Sequence, residues 1–262
     1  MSKLVTWVKQ FELPKRGVIH IGAHEAQEAS EYAHNELEPV LWFEAIPILV
    51  ERARLNLAQF PNQEIQEALL WSEPGQEKVF HLASNDLGSS SVFDFHLHAA
   101  SYPEVKMSDS LTLVTTTLDV EVSDFSKLTQ EAAYLVLDVQ GAELEVLKGA
   151  VNTLQQFEVI MSEVATRELY KGAPVYSNLV EWLRDQGFTL IAEDLNHQVG
   201  WGDALFMKTS VLKARYPRIK ALNASMSVNT NSWTVFLRGI FVIVGIKPEL
   251  LTRKFLKGIF KR

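Results

Sequence analysis

One glycine and three carboxylates stand at the ends of apolar segments of this sequence, where α/β proteins carry out their chemistry. Gly22 follows "VIHI", and Glu44 ends "VLWFE". Asp138 ends "YLVLD", and Glu163 ends "VIMSE". Because ligands of doubly wound sheets bind beyond the carboxyl ends of the strands, we expect these four residues to face one crevice.

The spacing of Gly22 and Glu44 favours a ligand that contains a ribose. Gly22, in the turn "GAHEA", permits close backbone approach, and a helix after this turn would offer unpaired N–H groups. Glu44 follows 22 residues later, where a carboxylate accepts hydrogen bonds from both ribose hydroxyls of NAD or S-adenosylmethionine. The turn lacks the second and third glycines of a dinucleotide site, which disfavours an NAD-dependent reductase. The alternative for Glu44 is an exposed acid at a strand end.

Asp138 and Glu163 are predicted to lie side by side on neighbouring strands. Such a pair can hold a divalent cation such as Mg²⁺, or share a proton so that one carboxyl group has a raised pKa and acts as a base. Glu143, in the turn "DVQGAE" that follows Asp138, is either a further acid of the crevice or a first-turn acid favoured by the helix dipole.

Histidines and serines supply further candidates. His24 is either a base or a contact to the cofactor or the helix cap. His96 and His98, in "FDFHLHAA", are lid contacts, a base, or alternating residues of an exposed strand. Ser90, in "SSS" at residues 89–91, is expected to contact the cofactor or the substrate, and the alternative is a simple turn.

Apolar segments of strand length alternate with helical patterns between residues 18 and 208. Near-continuous apolar strands indicate a parallel sheet that is covered by helices on both faces. The sequence therefore predicts a doubly wound α/β fold. The predicted strands are residues 18–22, 40–46, 64–70, 134–139, 159–164, 189–194 and 203–208, and the predicted helices are residues 25–36, 47–59, 143–156 and 177–186.

A long section, residues 71–133, separates the third and fourth predicted strands. Insertions of this length are commonly binding loops or lids, so we expect the substrate specificity to lie there. The whole pattern predicts one domain over residues 1–208 and a basic, helical C-terminal extension over residues 209–262.

The charge of the chain is divided unevenly. Residues 1–207 contain 13 Lys and Arg against 31 Asp and Glu, whereas residues 208–262 contain 12 against one. An acidic body is a poor surface for nucleic acid, so no nucleic-acid partner is expected.

The chain has no cysteine, which excludes thiolate nucleophiles and cysteine-ligated metals. Its start predicts a short amphipathic helix ended by Pro14 rather than a signal peptide, so we expect a cytoplasmic protein.

The C-terminal extension allows two interpretations. Its apolar stretch, residues 233–246, has 14 residues with Arg238 inside, fewer than the ~20 apolar residues of a membrane span. Residues 247–262 can form a cationic amphipathic helix. One interpretation is an interfacial anchor on anionic lipid at the inner face of a membrane. The other is a pair of helices that packs on the acidic body or on another subunit.

The order of these motifs resembles the FkbM family of S-adenosylmethionine-dependent methyltransferases over residues 17–208. The resemblance implies a seven-stranded Rossmann-like methyltransferase sheet, mostly parallel with an antiparallel last strand. It also implies O-methylation of a hydroxyl on a sugar, a glycan or a related metabolite. The motifs that carry it are "HIGAHEAQE", "WFEAIP", "EALLWSEPG", "TTLD", "LDVQGAELEVLKGA" and "SEV".

The resemblance also assigns residues to a cofactor site. It places the methionine part of S-adenosylmethionine against Gly22, Ala23 and His24, and the ribose on Glu44. The remaining contacts that it implies are Ala45, Ile46, Ala68 and Leu69 at the adenine, and Asp138 and Gln140 at the methyl-transfer centre.

Methyl transfer to a hydroxyl also requires removal of a proton. Asp138, Glu163 and His24 are the candidates for this task. Two positions depart from the family pattern, because His20 stands where many members have Asp, and Ala26 where many have Gly. These departures favour a further alternative, a non-catalytic protein that keeps the methyltransferase fold as a scaffold and is recruited by its basic tail.

Overall fold

The computed structural model describes residues 2–125 and 131–216, without the side chains of residues 124 and 125. The chain divides after Lys208 into two units, Met1–Lys208 and Thr209–Arg262. In the second unit, the described part contains the helix Thr209–Arg215. The tail segments interpreted above, residues 233–246 and 247–262, lie outside the described residues.

The first unit is built on a seven-stranded sheet with the order β3, β2, β1, β7, β8, β10, β9. The last strand in the chain, β10, runs antiparallel to both of its neighbours, and all other neighbours in this sheet are parallel. The predicted fold class is therefore confirmed. The strands are β1 (Gly17–Ile21), β2 (Val40–Glu44), β3 (Gln63–Glu67), β4 (Leu69–Leu70), β5 (Glu77–Ala83), β6 (Met107–Thr116), β7 (Ala132–Leu137), β8 (Val159–Ala165), β9 (Phe188–Asn196) and β10 (Trp201–Lys208).

Helices cover both faces of the sheet, and β1, β2 and β7 are buried along their whole length. This burial on both faces explains why these strands are near-continuous apolar runs in the sequence. The helices are α1 (Lys3–Gln10), α2 (Ala29–His34), α3 (Pro47–Leu57), α4 (Leu97–Ser101), α5 (Leu118–Glu121), α6 (Glu143–Lys148), α7 (Tyr176–Asp185) and α8 (Thr209–Arg215), with 3-10 turns at Val122–Phe125 and Thr153–Gln156.

The predicted strand 64–70 is divided between two sheets. At Ala68 the chain leaves the main sheet, where the N–H of Ala68 donates to the carbonyl of Glu44. Leu69 and Leu70 then pair with the end of β6 in a small sheet with the order β4, β6, β5. Hydrophobicity alone could not locate this break, because Ala68 and the two leucines after it continue the apolar pattern of the strand.

Two predicted helices are shorter than expected. The helix predicted over residues 25–36 begins at Ala29, because His24 and Ala26 have φ angles of 47° and 55°, outside the helical region. The helix predicted over residues 143–156 ends at Lys148, and a 3-10 turn follows at Thr153–Gln156. Within residues 2–125 and 131–216, no helix has the length and apolarity needed to cross a bilayer.

Candidate active site

A cavity of about 550 Å³ opens at the carboxyl ends of β1, β2 and β7. Separate segments of the chain meet here because parallel strands end at the same edge of the sheet. Contact of these residues with a cofactor stays a prediction, but the sheet brings all of them together. The lining includes every residue that the sequence analysis predicts as a cofactor contact, namely Gly22, Ala23, His24, Glu44, Ala45, Ile46, Ala68, Leu69, Ser90, Asp138 and Gln140.

Glu44 is a buried carboxylate that the backbone holds in one orientation. Its Oε1 accepts hydrogen bonds from the N–H groups of Ala45 and Ile46, each at 2.9 Å. Its Oε2 accepts one from the N–H of His24, also at 2.9 Å. Burial raises the pKa of Glu44, and these three N–H groups oppose that rise. A carboxylate has about four acceptor sites, so capacity for a ribose hydroxyl remains. The alternative of an exposed acid is wrong.

The side of the cavity beyond Glu44 is apolar. Ile46, Leu49, Leu69 and Phe80 form one buried cluster, and all four line the cavity. An apolar surface beside a fixed carboxylate suits a flat heterocycle joined to a ribose. Leu49 and Phe80 were not singled out in the sequence, because each falls within an element where an apolar residue indicates ordinary core packing.

Gly22 is required by the packing of the protein itself. Its φ is 85°, and a Cβ atom on this residue would lie 1.8 Å from the carbonyl oxygen of Asp138. The sequence predicts close approach of the Gly22 backbone to a ligand. The structure shows that the closest approach is to the backbone after β7, so the glycine joins the ends of β1 and β7 where they form the cavity.

His24 connects the turn after β1 to the insertion. Its Nδ1 lies 2.7 Å from Nε2 of Gln27, and its Nε2 lies 2.8 Å from the carbonyl oxygen of Asp86. Arg52 joins the same two segments through ion pairs with Glu25 and Asp86. Because both ring nitrogens of His24 have protein partners, the arrangement favours the cofactor or cap contact over the role of a base.

Ala26 occupies a backbone conformation that favours glycine, since its φ is 55°. This explains why the family pattern has Gly here. Ala26→Gly is expected to change the free energy of unfolding by less than about 0.5 kcal/mol, because relief of about 1–2 kcal/mol of left-handed strain offsets the about 0.8 kcal/mol lost with one buried methyl group and the about 0.5–1 kcal/mol entropic cost of glycine.

Chemical denaturation measures this difference, and Ala29→Gly is the matched control. Ala29 is equally buried but lies in α2, so its replacement is expected to lower the free energy of unfolding by about 1.3–1.8 kcal/mol, because it loses the same methyl group and has the entropic cost of glycine without any relief of strain. Equal losses in the two variants would contradict the strain at Ala26.

Asp138, Gln140 and Glu163 form one hydrogen-bonded group at the edge of the cavity. The Nε2 of Gln140 donates to Asp138 Oδ1 at 2.7 Å and to Glu163 Oε2 at 2.9 Å. The Tyr170 hydroxyl donates to Gln140 Oε1 at 2.6 Å. Gln140 is thereby fixed from both ends, and it fixes the two carboxyl groups in turn. Tyr170, which follows β8 in an irregular segment, was missed by the sequence analysis.

The two carboxyl groups behave as a pair that shares a proton. Burial, followed by the negative charge of Asp138, raises the pKa of Glu163 well above its ordinary value. Burial also raises the pKa of Asp138, while hydrogen bonds from Gln140 and Glu163 counteract the rise. Glu163, whose pKa is raised further, is therefore the member of the pair that holds a shared proton more tightly, and Asp138 is the member that can accept one.

His20 lies beneath this pair and is neutral. Burial lowers the pKa of His20 to about 4, against the opposing charge of Asp138. Its ring stacks on Trp42 at a centroid distance of 4.6 Å, and its Nδ1 lies 3.1 Å from the Tyr32 hydroxyl. Where many family members carry a carboxylate, this chain thus has an uncharged aromatic stack.

Glu143 supports the turn that carries Gln140. Its Oε1 accepts hydrogen bonds from the N–H groups of Val139 and Gly141, at 3.0 and 3.2 Å. Burial raises the pKa of Glu143 to about 7, although these N–H groups oppose the rise. Gln140 and Gly141 both have positive φ angles, so the turn depends on this carboxyl group for its shape.

A second cavity, of about 400 Å³, adjoins the first. Asn85, Gly88, Asp138 and Gln140 line both cavities, so the two meet at Asp138, whereas Glu163 lines the second cavity and not the first. The insertion forms one side of the second cavity and the segment after β8 forms the other. Among its lining residues are Ser89, His98, Tyr102, Glu143, Glu163, Tyr170, Tyr176 and Trp201.

The serines and histidines of the insertion have mainly structural partners. Ser90 Oγ accepts a hydrogen bond from the N–H of Ala83 at 3.0 Å, and Ser91 Oγ donates to the Gln140 carbonyl at 2.8 Å. The exposed strand predicted around His96 and His98 is wrong, since residues 97–101 form α4 and His98 is buried. His96 lies 3.8 Å from Glu168 at the surface.

The predicted Mg²⁺ site at Asp138 and Glu163 gains no support. The amide nitrogen of Gln140 lies between the two carboxyl groups and donates to both, at the position that a cation would take. In the part of the chain that the structure describes, no group of three or more His, Cys, Asp or Glu side chains is arranged to hold a metal ion.

Comparison with known proteins gives one family and several relatives. The family model "Methyltransferase FkbM domain" matches residues 20–190. A curated relative, the 2-O-methyltransferase NoeI of Sinorhizobium fredii, is 24% identical over 194 residues, covering 71% of this chain and 77% of the relative.

Solved structures resemble the chain at low sequence identity. Magnesium protoporphyrin IX methyltransferase of Synechocystis, with bound S-adenosylmethionine, is 12% identical with a TM-score of 0.46, covering 78% of this chain and 76% of that one. A TehB-like methyltransferase of Corynebacterium glutamicum is 10% identical with a TM-score of 0.41, covering 78% and 86%.

The family match covers residues 20–190 and so includes the carboxyl ends of β1, β2, β7 and β8. It sets aside the alternative of an NAD-dependent reductase. The chain belongs to the FkbM family of S-adenosylmethionine-dependent methyltransferases.

Proposed function

We propose that this methyltransferase transfers the methyl group to a hydroxyl of a sugar, a glycan or a related small metabolite. The observation that carries the proposal is the meeting of two cavities at Asp138 and Gln140, with Glu163 hydrogen-bonded to Gln140 on the side of the second cavity. One cavity has the carboxylate and apolar surface that suit the cofactor. The other offers a separate space for the acceptor, and Asp138 stands between them.

The residues of the chain would act on the acceptor hydroxyl. When bound, S-adenosylmethionine supplies an electrophilic methyl group on a sulfonium. Asp138 would accept the proton of the acceptor hydroxyl. The oxygen of that hydroxyl would bond to the methyl carbon as the carbon–sulfur bond breaks. Glu163, the member of the pair that holds a proton more tightly, would donate a hydrogen bond to Asp138. Gln140 donates to both carboxyl groups and so holds them in place beside the acceptor cavity.

Two measurements test this function. Calorimetric titration with S-adenosylmethionine is expected to show binding, and the absence of heat at millimolar ligand would overturn the cofactor assignment.

The second measurement is transfer of an isotope-labelled methyl group to neutral glycosides and oligosaccharides. Mass spectrometry and NMR are expected to show a methyl ether. A methyl group found on nitrogen or carbon would overturn O-methylation. Support for transfer to oxygen comes from the relative NoeI, which is a 2-O-methyltransferase.

Glu44→Gln is expected to raise the Kd of S-adenosylmethionine by about 10- to 100-fold. Glutamine keeps one oxygen for the N–H groups of Ala45 and Ile46, but it sets an amide NH₂ group against the N–H of His24. The negative charge that would accept from the ribose is also lost. Calorimetric titration measures the change.

Glu67→Gln is the matched control for Glu44→Gln. Glu67 ends β3 directly beside Glu44 in the sheet, is exposed, and does not line the cavity. Its replacement is expected to leave the Kd unchanged. Equal effects of the two substitutions would show that Glu44 has no specific part in binding the cofactor.

We propose further that the C-terminal extension contacts anionic lipid. Its last residues carry Arg253, Lys254, Lys257 and Lys261 beside an apolar pattern. The full chain is expected to sediment with vesicles that contain phosphatidylserine and to stay in solution with phosphatidylcholine alone. Replacing these four residues with Gln is expected to abolish sedimentation, whereas replacing Lys78, Lys106, Lys171 and Arg184 is not. Equal sedimentation of both variants would favour packing of the tail on protein.

A further inference from the structure

The cavity that we assign to the acceptor has an unusual charge. Asp138, Glu143 and Glu163 line it, and no Lys or Arg does so within residues 2–125 and 131–216. Arg167, just beyond β8, has its guanidinium directed to the carbonyl oxygens of Gln198 and Val199. A negatively charged group that entered this cavity would find no cation to replace its water shell.

His98 adds a polar group that suits a hydroxyl. The side chain is buried in the cavity wall, and its ring stacks on Phe95 at a centroid distance of 4.1 Å. Its Nε2 lies 3.2 Å from Ser89 Oγ, whereas Nδ1 has no hydrogen-bond partner among the described residues. Burial lowers the pKa of His98, so the ring is neutral. A hydroxyl can donate or accept and so satisfies Nδ1 in either tautomer, which a carboxylate or phosphate cannot do.

Aromatic side chains form a further part of the cavity wall. Tyr102, Tyr176 and Trp201 are half-buried and line it, and the indole N–H of Trp201 donates to the Tyr102 hydroxyl at 3.0 Å. Such faces carry negative potential, so they attract the C–H surface of a ring or a cation and repel an anion. The three carboxyl groups and the aromatic rings therefore act in the same direction, and the other polar groups of the lining carry no positive charge that would offset them.

We propose that the acceptor cavity selects its substrate by charge and accepts only a sugar ring that bears no negative group. The inference rests on the proposed function, since it concerns the same acceptor site. Phosphorylated sugars and uronic acids are excluded as the methylated unit. A negative group on a more distant part of a glycan is compatible with transfer, because it would remain outside the cavity.

Matched methyl glycosides test the selection. Neutral hexosides of the gluco, galacto and manno configurations are compared with the corresponding amino sugars and uronic acids, using labelled S-adenosylmethionine and the full chain. We expect kcat/KM for each uronic acid to be at least about tenfold below that of its neutral counterpart, because a buried charge without a partner is strongly disfavoured. The amino sugars are expected to react at least as well as the neutral members.

A charge-swap variant links the selection to this cavity. Ala165 ends β8, is half-buried, lines the cavity and pairs with Trp201 across the sheet. Ala165→Lys is expected to raise the uronic-to-neutral ratio of kcat/KM by about tenfold, and Ala165→Met, which adds similar length without charge, to leave the ratio unchanged. The ratio is independent of any loss of folded protein that the variants share.

The outcomes separate the two proposals. Equal transfer to neutral and uronic glycosides, or an unchanged ratio in Ala165→Lys, overturns the charge selection and leaves O-methylation of sugars in place. If the chain binds S-adenosylmethionine and methylates no glycoside of the panel, the sugar class is wrong and the charge selection falls with it.

Discussion

Asp138→Asn is expected to lower kcat by about 100- to 1000-fold, the range that loss of a general base produces. Asparagine has the same shape and still accepts a hydrogen bond from Gln140 Nε2 at its oxygen. It cannot accept the proton of the acceptor hydroxyl. Initial rates of methyl transfer at saturating S-adenosylmethionine, with a glycoside that the unsubstituted protein methylates, measure the loss.

The same variant is expected to fold at least as stably as the unsubstituted protein. Burial disfavours the ionised form of Asp138, and asparagine carries no charge. The hydrogen bond that joins Asp138 to Glu163 can be replaced by one that the amide NH₂ group of asparagine donates to Glu163. Thermal unfolding and S-adenosylmethionine titration therefore separate lost chemistry from lost structure. Asp109→Asn, at an exposed position of β6, is the control and is expected to leave kcat unchanged. An unchanged kcat in Asp138→Asn would remove Asp138 from the mechanism.

Glu143→Gln is expected to raise the free energy of unfolding at pH 8 by about 3 kcal/mol. In the folded protein the pKa of Glu143 is raised from 4.5 to about 7 by burial. A raised pKa means that the protonated carboxyl stabilises the fold below pH 4.5, and that this contribution is lost as the pH rises through about 7. Glutamine keeps the acceptor oxygen for Val139 and Gly141 and does not ionise.

Urea denaturation between pH 4 and pH 8 measures the effect as a reduced pH dependence. Glu145→Gln, in the same helix, is the matched control with the opposite sign. Burial would raise the pKa of Glu145, but hydrogen bonds from Lys148 and Ser72 outweigh it and lower the pKa. Its replacement is therefore not expected to stabilise the protein at pH 8. If Glu143→Gln shows the same pH slope as the unsubstituted protein, the carboxyl is not buried as the structure has it.

The fold and the cofactor cavity could be predicted because both follow from short-range patterns. Buried parallel strands are continuous apolar runs, and their carboxyl ends must lie at one edge of the sheet. Gly22, Glu44, Asp138 and Glu163 each end such a run, so a reader of the sequence can place all four without knowing any contact. The family resemblance added the residues between them, such as Ala45 and Ala68.

The acceptor cavity could not be predicted in the same way. His98, Tyr102 and Tyr170 lie in short or irregular segments, where neither a period of two nor one of 3.6 residues indicates which side chains turn inward. Their positions depend on contacts between the insertion and the segment after β8. The bridge between Phe95 and Tyr170 and the hydrogen bond from His96 N–H to the Leu169 carbonyl are examples. Ala26 was wrongly predicted to lie in a helix. Its neighbours are good helix formers, but its own backbone is left-handed.

The two cavities meet at strand ends, but their outer walls come from different parts of the chain, and this division has an evolutionary consequence. The groups that would move the proton belong to the sheet edge, whereas His98 and Tyr102 belong to the insertion, outside the seven-stranded sheet. The parts of residues 84–105 and 166–176 that line only the acceptor cavity can therefore diverge while the reaction is preserved, whereas Ser90, at the first cavity, and Ser91 and Tyr170, bonded to Gln140, are constrained. A lineage with this architecture can acquire new acceptors by exchanging two loops, and hybrid enzymes can be assembled along the same boundary.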